Sequence, residues 1–441
     1  MERAHLNLLL ATAVLLLATL PPAGAAPTAR TKRISVRSNG NEATGGISAE
    51  PDISANGRYV VFSSEATNLV SNDTNDADDV FIHDRRTKKT RRLSVTSSGQ
   101  EAEVGGESSD AEMSGNGRYV VFSSNAEELV PNDDNLAEDV FVHDRKTKKT
   151  RRVSVKSNGG QAEDGASGDP EISDNGRYVV FTSSDEDLVA GDDNGVSDIF
   201  VHDRTTKKTR RVNLASNGDQ AELGSSSNPA ISPNGRVVVF DSDAENLVQN
   251  DDNAQTDVFI HVRRTKKTRR VSVTSNGGQA SGGSSSHALL SRTGRIVVYE
   301  SHAVDLVPGD GNAEEDIFVY DRRTKKTRLI TRAPNGDDAD GGSEDVGISS
   351  DARFITYESH AENLVGNDDN TAGDSFLYDR QTKKTRRISL RSNGNQTLLG
   401  SSDDPDVSDD GRFVAFESNA SDMVANDQNT FQDVFVRGPL R

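Results

Sequence analysis

The stretch Pro51-Asp52-Ile53-Ser54-Ala55-Asn56-Gly57-Arg58-Tyr59-Val60-Val61-Phe62-Ser63 decides the fold. A short segment, Pro51 to Ser54, meets an Asn-Gly step, and an almost continuous apolar run follows. Asn-Gly turns one strand back on the next because both residues tolerate positive φ. A Val-Val-Phe run without polar alternation suits a strand buried on both faces. The Gly-Arg step leading into this run recurs at Gly117, Gly176, Gly235, Gly294 and Gly411, with Ala352 in the glycine position of the sixth copy. The copies are 58 to 60 residues apart, so the chain is a sevenfold repeat.

Each copy reads as four short strands. In the first, the second strand is Arg58 to Ser63, a polar loop carries Leu69-Val70, and the third strand is Asp79 to Asp84. A basic turn, Arg85 to Thr90, precedes a fourth strand, Arg91 to Val95. Four strands in a unit of this length, seven times over, predict an all-β, seven-bladed β-propeller. A parallel β-helix uses much shorter repeats, and helical solenoids lack this Gly-punctuated strand pattern. The two ends complement each other. An orphan fourth strand, Arg33-Ile34-Ser35-Val36, precedes the first full unit, and the last unit stops after its third strand, Asp433 to Val436. Ile34–Val36 is expected to pair with Val434–Val436, closing the last blade and removing an open edge.

The repeat explains a composition that would otherwise suggest disorder. The 441 residues are only 32% hydrophobic and 5% aromatic, with a formal charge of −19. Without Cys there is no disulfide scaffold, no thiolate metal site and no lipid-anchoring cysteine. The acidic balance disfavours specific nucleic-acid binding. Leu6 to Leu20 is an apolar run ahead of Ala23-Gly24-Ala25, the pattern of a cleaved signal over residues 1–25. No later run is apolar and long enough to span a bilayer. The expectation is an exported protein, periplasmic or extracellular, in which residues 31–441 form one propeller domain and the chain is monomeric.

The segments Ile172-Ser173-Asp174-Asn175-Gly176-Arg177-Tyr178-Val179-Val180-Phe181 and Asp198-Ile199-Phe200-Val201-His202-Asp203-Arg204 resemble the TolB-like (PD40-type, WD40-like) propeller repeats of exported bacterial proteins. The resemblance covers all seven repeats. It implies a propeller without the α/β domain of TolB or the peptidase domain of related propellers. It does not imply one function, since such folds host many roles.

Strand order sorts the loops. The Asn-Gly-Arg turns and the Arg-Thr-Lys-Lys turns share one face, and the Asp/Asn-rich loops share the other. The disk is therefore expected to be acidic on top and basic below. The basic turns, Lys88-Lys89 through Lys383-Lys384, are either solvated surface or a ring that docks on an anionic polymer or surface.

Each top loop carries Asp-x-Asn-x-x-x-Asp: Asp73/Asn75/Asp79, Asp133/Asn135/Asp139, Asp192/Asn194/Asp198, Asp251/Asn253/Asp257, Asp310/Asn312/Asp316, Asp368/Asn370/Asp374 and Asp427/Asn429/Asp433. Calcium takes six to eight hard oxygen ligands, and this spacing offers several in every blade. No other cofactor is required by the sequence. The competing reading is an Asx-turn, in which the same side chains fix the loop's own amides.

Catalytic motifs are absent: there is no Gly-x-Ser-x-Gly, no His-Glu-x-x-His and no phosphate loop. His83, His143, His202 and His261 share a repeat position with Tyr320 and Tyr378, which points to packing or hydrogen bonding. Of 22 aromatics only Phe431 falls in a loop, so no stacking platform is expected. Alternation along the innermost strands points Asp52, Glu112, Glu171, Ala230, Leu289, Gly347 and Asp406 into the channel. Glu50, Asp110, Asp169, Asp345 and Asp404 lie just above. This acidic crescent suits a cationic ligand or protein partner. Glu300/His302 and Glu358/His360, on adjacent blades, would add a metal or acid–base site if they met on the top face. The sequence thus predicts a non-enzymatic binding scaffold; the alternative is a hydrolase or lyase working at the channel mouth.

Overall fold

The computed structural model describes residues 29–103, 105–163 and 165–440. The expected signal segment lies outside the described residues. Seven four-stranded antiparallel sheets succeed one another along the chain. In the first, Ser48–Ile53, Tyr59–Ser64, Asp79–Asp84 and Lys89–Arg92 pair in sequence order. The seventh joins Arg30–Arg33 to Asp433–Gly438, followed by Val414–Ser418 and Ser402–Val407. The chain is a seven-bladed β-propeller closed by its own N-terminal strand.

Two strand boundaries differ from expectation. The basic turn is tighter than the sequence suggested. Lys88 takes a left-handed φ of 57°, and its N–H donates to the Asp84 carbonyl at 2.7 Å. Pairing therefore resumes at Lys89, opposite Asp84, and the fourth strand ends at Arg92. The closing strand shifts likewise. Arg30 to Arg33 pair with Gly438 to Phe435, and Ile34 follows with a single bond from its N–H to the Val434 carbonyl at 2.7 Å.

The core lies between blades. An aromatic of the second strand stacks on one of the third, as in Phe62–Phe81 at 5.9 Å and Tyr357–Phe376 at 5.7 Å. Such pairs add about 0.5–1.5 kcal/mol beyond the area they bury. Val61, Val80 and Ile82 of the first blade pack with Met113, Val120, Phe122 and Leu129 of the second. Each flat sheet thus borrows its cover from its neighbour, and a small apolar fraction suffices. The leading arginine of each basic turn belongs to this seam. The Arg145 guanidinium lies 4.0 Å over the Tyr59 ring and that of Arg263 lies 3.9 Å over Tyr178. Gly176 is required where the seam is tightest: its φ is +68° and a Cβ would meet the Tyr119 ring at 2.0 Å.

One feature of the innermost strands positions the candidate site. Each carries a bulge, between Ala49 and Asp52 in the first blade and at equivalent places in the others. The bulged residues Glu50, Asp110, Asp169, Asn228, His287, Asp345 and Asp404 have φ between 46° and 54°. Asp, Asn and His are the non-glycine residues that best tolerate this region. The bulge brings these side chains to the channel along with those two residues further on.

Candidate functional site

The channel holds a cavity of about 440 Å³ whose wall includes Asp52, Glu112, Glu171 and Asp406, with Asp110, Asp169 and Asp404 above them. The lower carboxylates stitch neighbouring blades. Asp406 accepts the Ile53 N–H at 3.0 Å, Asp52 accepts the Met113 N–H at 2.6 Å, and Glu171 accepts the Ile231 N–H. Asp406, Asp52 and Glu112 also adjoin carboxyl to carboxyl. Burial raises Asp52, Glu112 and Asp406 well above the usual carboxylate range, and mutual repulsion raises them further. Burial pushes Glu171 up to about 8 and, with Glu50 nearby, Asp110 up to about 6. Asp404 is likewise raised, by burial first and then by Asp345 and Glu417. No arginine or lysine faces this ring among the cavity-lining residues described.

A second set of acids adjoins the ring; sequence reading named Glu300 and Glu358 of this set and missed Asp241 and Glu417. Asp241, Glu300, Glu358 and Glu417 occupy one second-strand position in blades four to seven, where blades one to three carry Ser63, Ser123 and Thr182. The signal was a repeat-position comparison across the second strand, hidden because an acid within an apolar run looks like an outward residue. Asp241 accepts from Asn228 Nδ2 at 2.7 Å and from the His287 N–H at 3.1 Å. Glu417 accepts the Glu50 N–H at 2.7 Å. Burial pushes Asp241 and Glu417 up to about 7.

The histidines divide differently from expectation. Glu300 pairs with His287 Nδ1 at 3.1 Å rather than with His302, and this contact raises His287 to about 9. His302 faces Glu315 at 3.5 Å. His360 faces Glu358 at 3.5 Å, and Glu344 joins them so that one ligand atom from each lies within 4.8 Å of the others. Burial, then Asp403 and Asp345, push Glu358 up to about 10. The four residues therefore form two separate groups, not one site. By contrast, His83, His143, His202 and His261 are buried, each holding a threonine of the fourth strand at 2.9 to 3.0 Å.

At the underside the channel is crossed by Arg292 of the fifth blade. It reaches Asp174 of the third at 2.6 Å and Asp409 of the seventh at 3.4 Å. The basic turns share this face with the Asn-Gly turns, the Arg85 N–H donating to the Arg58 carbonyl at 2.9 Å. The site is thus a cup with an acidic mouth and a bridged floor.

The Asp-x-Asn-x-x-x-Asp loops hold a cation of the protein's own in six blades. Arg152 Nη1 lies 2.6 Å from Asp133 and 2.7 Å from Asp139; Arg270 lies 2.8 Å from Asp251 and 2.9 Å from Asp257; Arg387 lies 2.6 Å from Asp368 and 2.9 Å from Asp374. Arg92 fills the Asp73/Asp79 pair, Arg211 the Asp192/Asp198 pair, and Arg33 of the closing strand the Asp427/Asp433 pair. The middle residues make the Asx-turn. Asn135, Asn194, Asn253, Asn312 and Asn429 each accept the N–H two residues on. Their amides donate to a carbonyl of the next unit at 3.0 to 3.4 Å. A guanidinium bridges both carboxylates in six blades, an arrangement that accounts for these side chains there without a metal. Asn370 accepts the Ala372 N–H in the same way, whereas Asn75 has no hydrogen-bond partner.

No protein-family model and no curated protein matches the sequence. Solved structures do. An oligogalacturonate lyase in complex with manganese aligns with a TM-score of 0.53 at 13% identity, covering 93% of this chain and 90% of the other. The β-propeller domain of the Trilobed protease from Pyrococcus furiosus aligns with a TM-score of 0.52 at 11% identity over 90% and 94%. That domain has an open velcro topology, whereas the last blade here is closed. A TolB from Agrobacterium tumefaciens also matches, with a TM-score of 0.42 at 13% identity over 80% and 95%. At these identities the likeness is one of architecture, and what the chain shares with the oligogalacturonate lyase and the Trilobed protease domain is the β-propeller fold.

Proposed function

We propose that this protein is an exported, non-enzymatic binding scaffold whose acidic channel mouth receives a cationic group of a protein or peptide partner. One observation carries this reading: Asp406, Asp52, Glu112 and Glu171 line one cavity, half-buried and mutually repelling, with no arginine or lysine among its described lining, where His287 pairs with Glu300 instead. A lysine or arginine side chain entering the cup would relieve that repulsion and displace the protons that otherwise do so. Export is supported by the leader pattern of residues 1–25. The exposed lysines of the basic turns form a second candidate surface, for an anionic polymer.

The test uses oligolysine as the probe, titrated calorimetrically into the full chain at pH 8 and low salt. Binding that weakens at least tenfold in Glu112→Gln/Glu171→Gln and falls with added salt supports the reading. Equal affinity in wild type and double variant refutes it.

A second reading, a lyase or hydrolase, is favoured by the convergence of Glu344, Glu358 and His360. The manganese bound by the oligogalacturonate lyase of the same fold makes a metal there worth testing. Formation of unsaturated product from oligogalacturonate with added manganese, abolished by His360→Ala, would replace the scaffold reading.

A further inference from the structure

We propose that the fifth blade, alone among the seven, carries a calcium-type divalent-cation site between Asp310 and Asp316. The inference is independent of the channel-mouth reading, because the site lies in a top loop at the outer part of the blade. Its basis is a substitution within the repeat. The bridging arginine of the other blades is Leu329 here, and Leu329 instead packs against the apolar seam. Arg332, three residues on, compensates only in part. Its Nη2 takes the Gly309 carbonyl at 2.9 Å and its Nη1 pairs with Asp338 at 2.9 Å. The equivalent carbonyl in blade two, that of Asn132, is taken by the bridging Arg152 itself.

The bridge between the two loop carboxylates is therefore missing its guanidinium. Oδ1 of Asp316 accepts the Thr331 hydroxyl, as its counterparts accept from a Ser hydroxyl or, in blade three, from the Asn213 amide. Oδ2, which in blade two meets Arg152 at 2.7 Å, is buried without a hydrogen-bond partner. Asp316 is 1% exposed. The Asn312 amide lies beside it but donates to the Ala339 carbonyl at 3.2 Å. An unpartnered buried carboxylate oxygen costs several kcal/mol unless something positive meets it. Asp310, half-exposed in the same loop, is close enough to add its charge to that of Asp316. Two carboxylates, with water completing the shell, are hard oxygen ligands for calcium. Partial protein ligation of this kind gives affinities of about 10⁻⁴–10⁻³ M, the range of extracellular calcium modules.

The test is calcium titration of the EDTA-treated full chain by calorimetry. Two variants remove the site by opposite routes. Asp316→Asn removes a ligand. Leu329→Arg/Arg332→Val restores the pattern of the neighbouring blades, supplies the guanidinium, and is expected to fold at least as stably as wild type in EDTA. Both should bind one calcium equivalent fewer than wild type, while Glu222→Gln, at an exposed loop position, keeps that equivalent. Unchanged stoichiometry in the arginine-restoring variant overturns the proposal. So does the absence of binding heat at millimolar calcium, or the binding of about seven equivalents, one for each blade.

Discussion

Glu171→Gln tests how the channel is built. The Glu171 carboxyl is enclosed by the channel wall, accepts the Ile231 N–H, and is raised from 4.5 to about 8 by burial, with Asp174 and Asp406 adding repulsion. A raised folded-state pKa means that the native protein holds a proton which the unfolded chain has released between about pH 4.5 and 8. Stability contributed by this group is therefore full below pH 4.5 and is lost as pH rises through that window, at about 1.4 kcal/mol per unit. Over the whole window the loss is about 3–6 kcal/mol. Glutamine keeps an acceptor for Ile231 and carries no charge to desolvate. The variant should match wild type near pH 4.5 and exceed it by that amount above pH 8. Unfolding entropy of about 2.1 cal/mol/K per residue over roughly 410 residues makes this a rise in Tm of about 3–7 °C. The assay is thermal unfolding followed by circular dichroism from pH 4.5 to 9 for both proteins. If Glu171→Gln is destabilised equally at every pH, the carboxylate acts as a hydrogen-bonding staple and its charge is already compensated, and the reasoning fails. Such a gain in stability would fit a site that trades stability for binding.

Other outcomes follow from the seams between and within blades. Arg152→Leu copies the fifth blade into the second and strands Asp133 and Asp139; the variant should lose about 3–5 kcal/mol in urea unfolding at pH 8. The deficit should shrink toward pH 5, because Asp133, already raised to about 7 mainly by burial, takes up a proton there. Gly176→Ala forces a Cβ into the Tyr119 ring at a left-handed φ and should cost about 1–3 kcal/mol, read as a lower denaturation midpoint. Deleting residues through Ser35 removes the closing strand and the Arg33 contacts to Asp427 and Asp433; the last blade should become the first site of proteolytic cleavage. Unchanged protease resistance would mean that the closure contributes little to the last blade.

The architecture was legible because it is written seven times. Asn56-Gly57 followed by Tyr59 to Phe62 sets a hairpin and a doubly buried strand through local backbone preference and hydrophobic pattern alone. The complementary ends, an orphan strand near Ile34 and a missing partner after Val436, announced the closure without three-dimensional information. Even the inward direction of Asp52, Glu112, Glu171 and Asp406 follows from the two-residue period of a strand. Tertiary structure decided what sits beside these groups, since neighbours in a propeller come from residues about 59 apart. No local pattern reveals that Arg152 reaches back to Asp133 and Asp139, or that Leu329 withdraws the same bridge from Asp316. Nor does one reveal that Glu300 meets His287 instead of His302. The bulge at Glu50 and its six counterparts shifts register by one residue, which changes the partners of every side chain at the channel mouth. The sequence alone determined the repeat, the blades and their closure, because those depend on short-range pattern. The charges of the site and the partners that compensate them were decided only by the packing of one blade against the next.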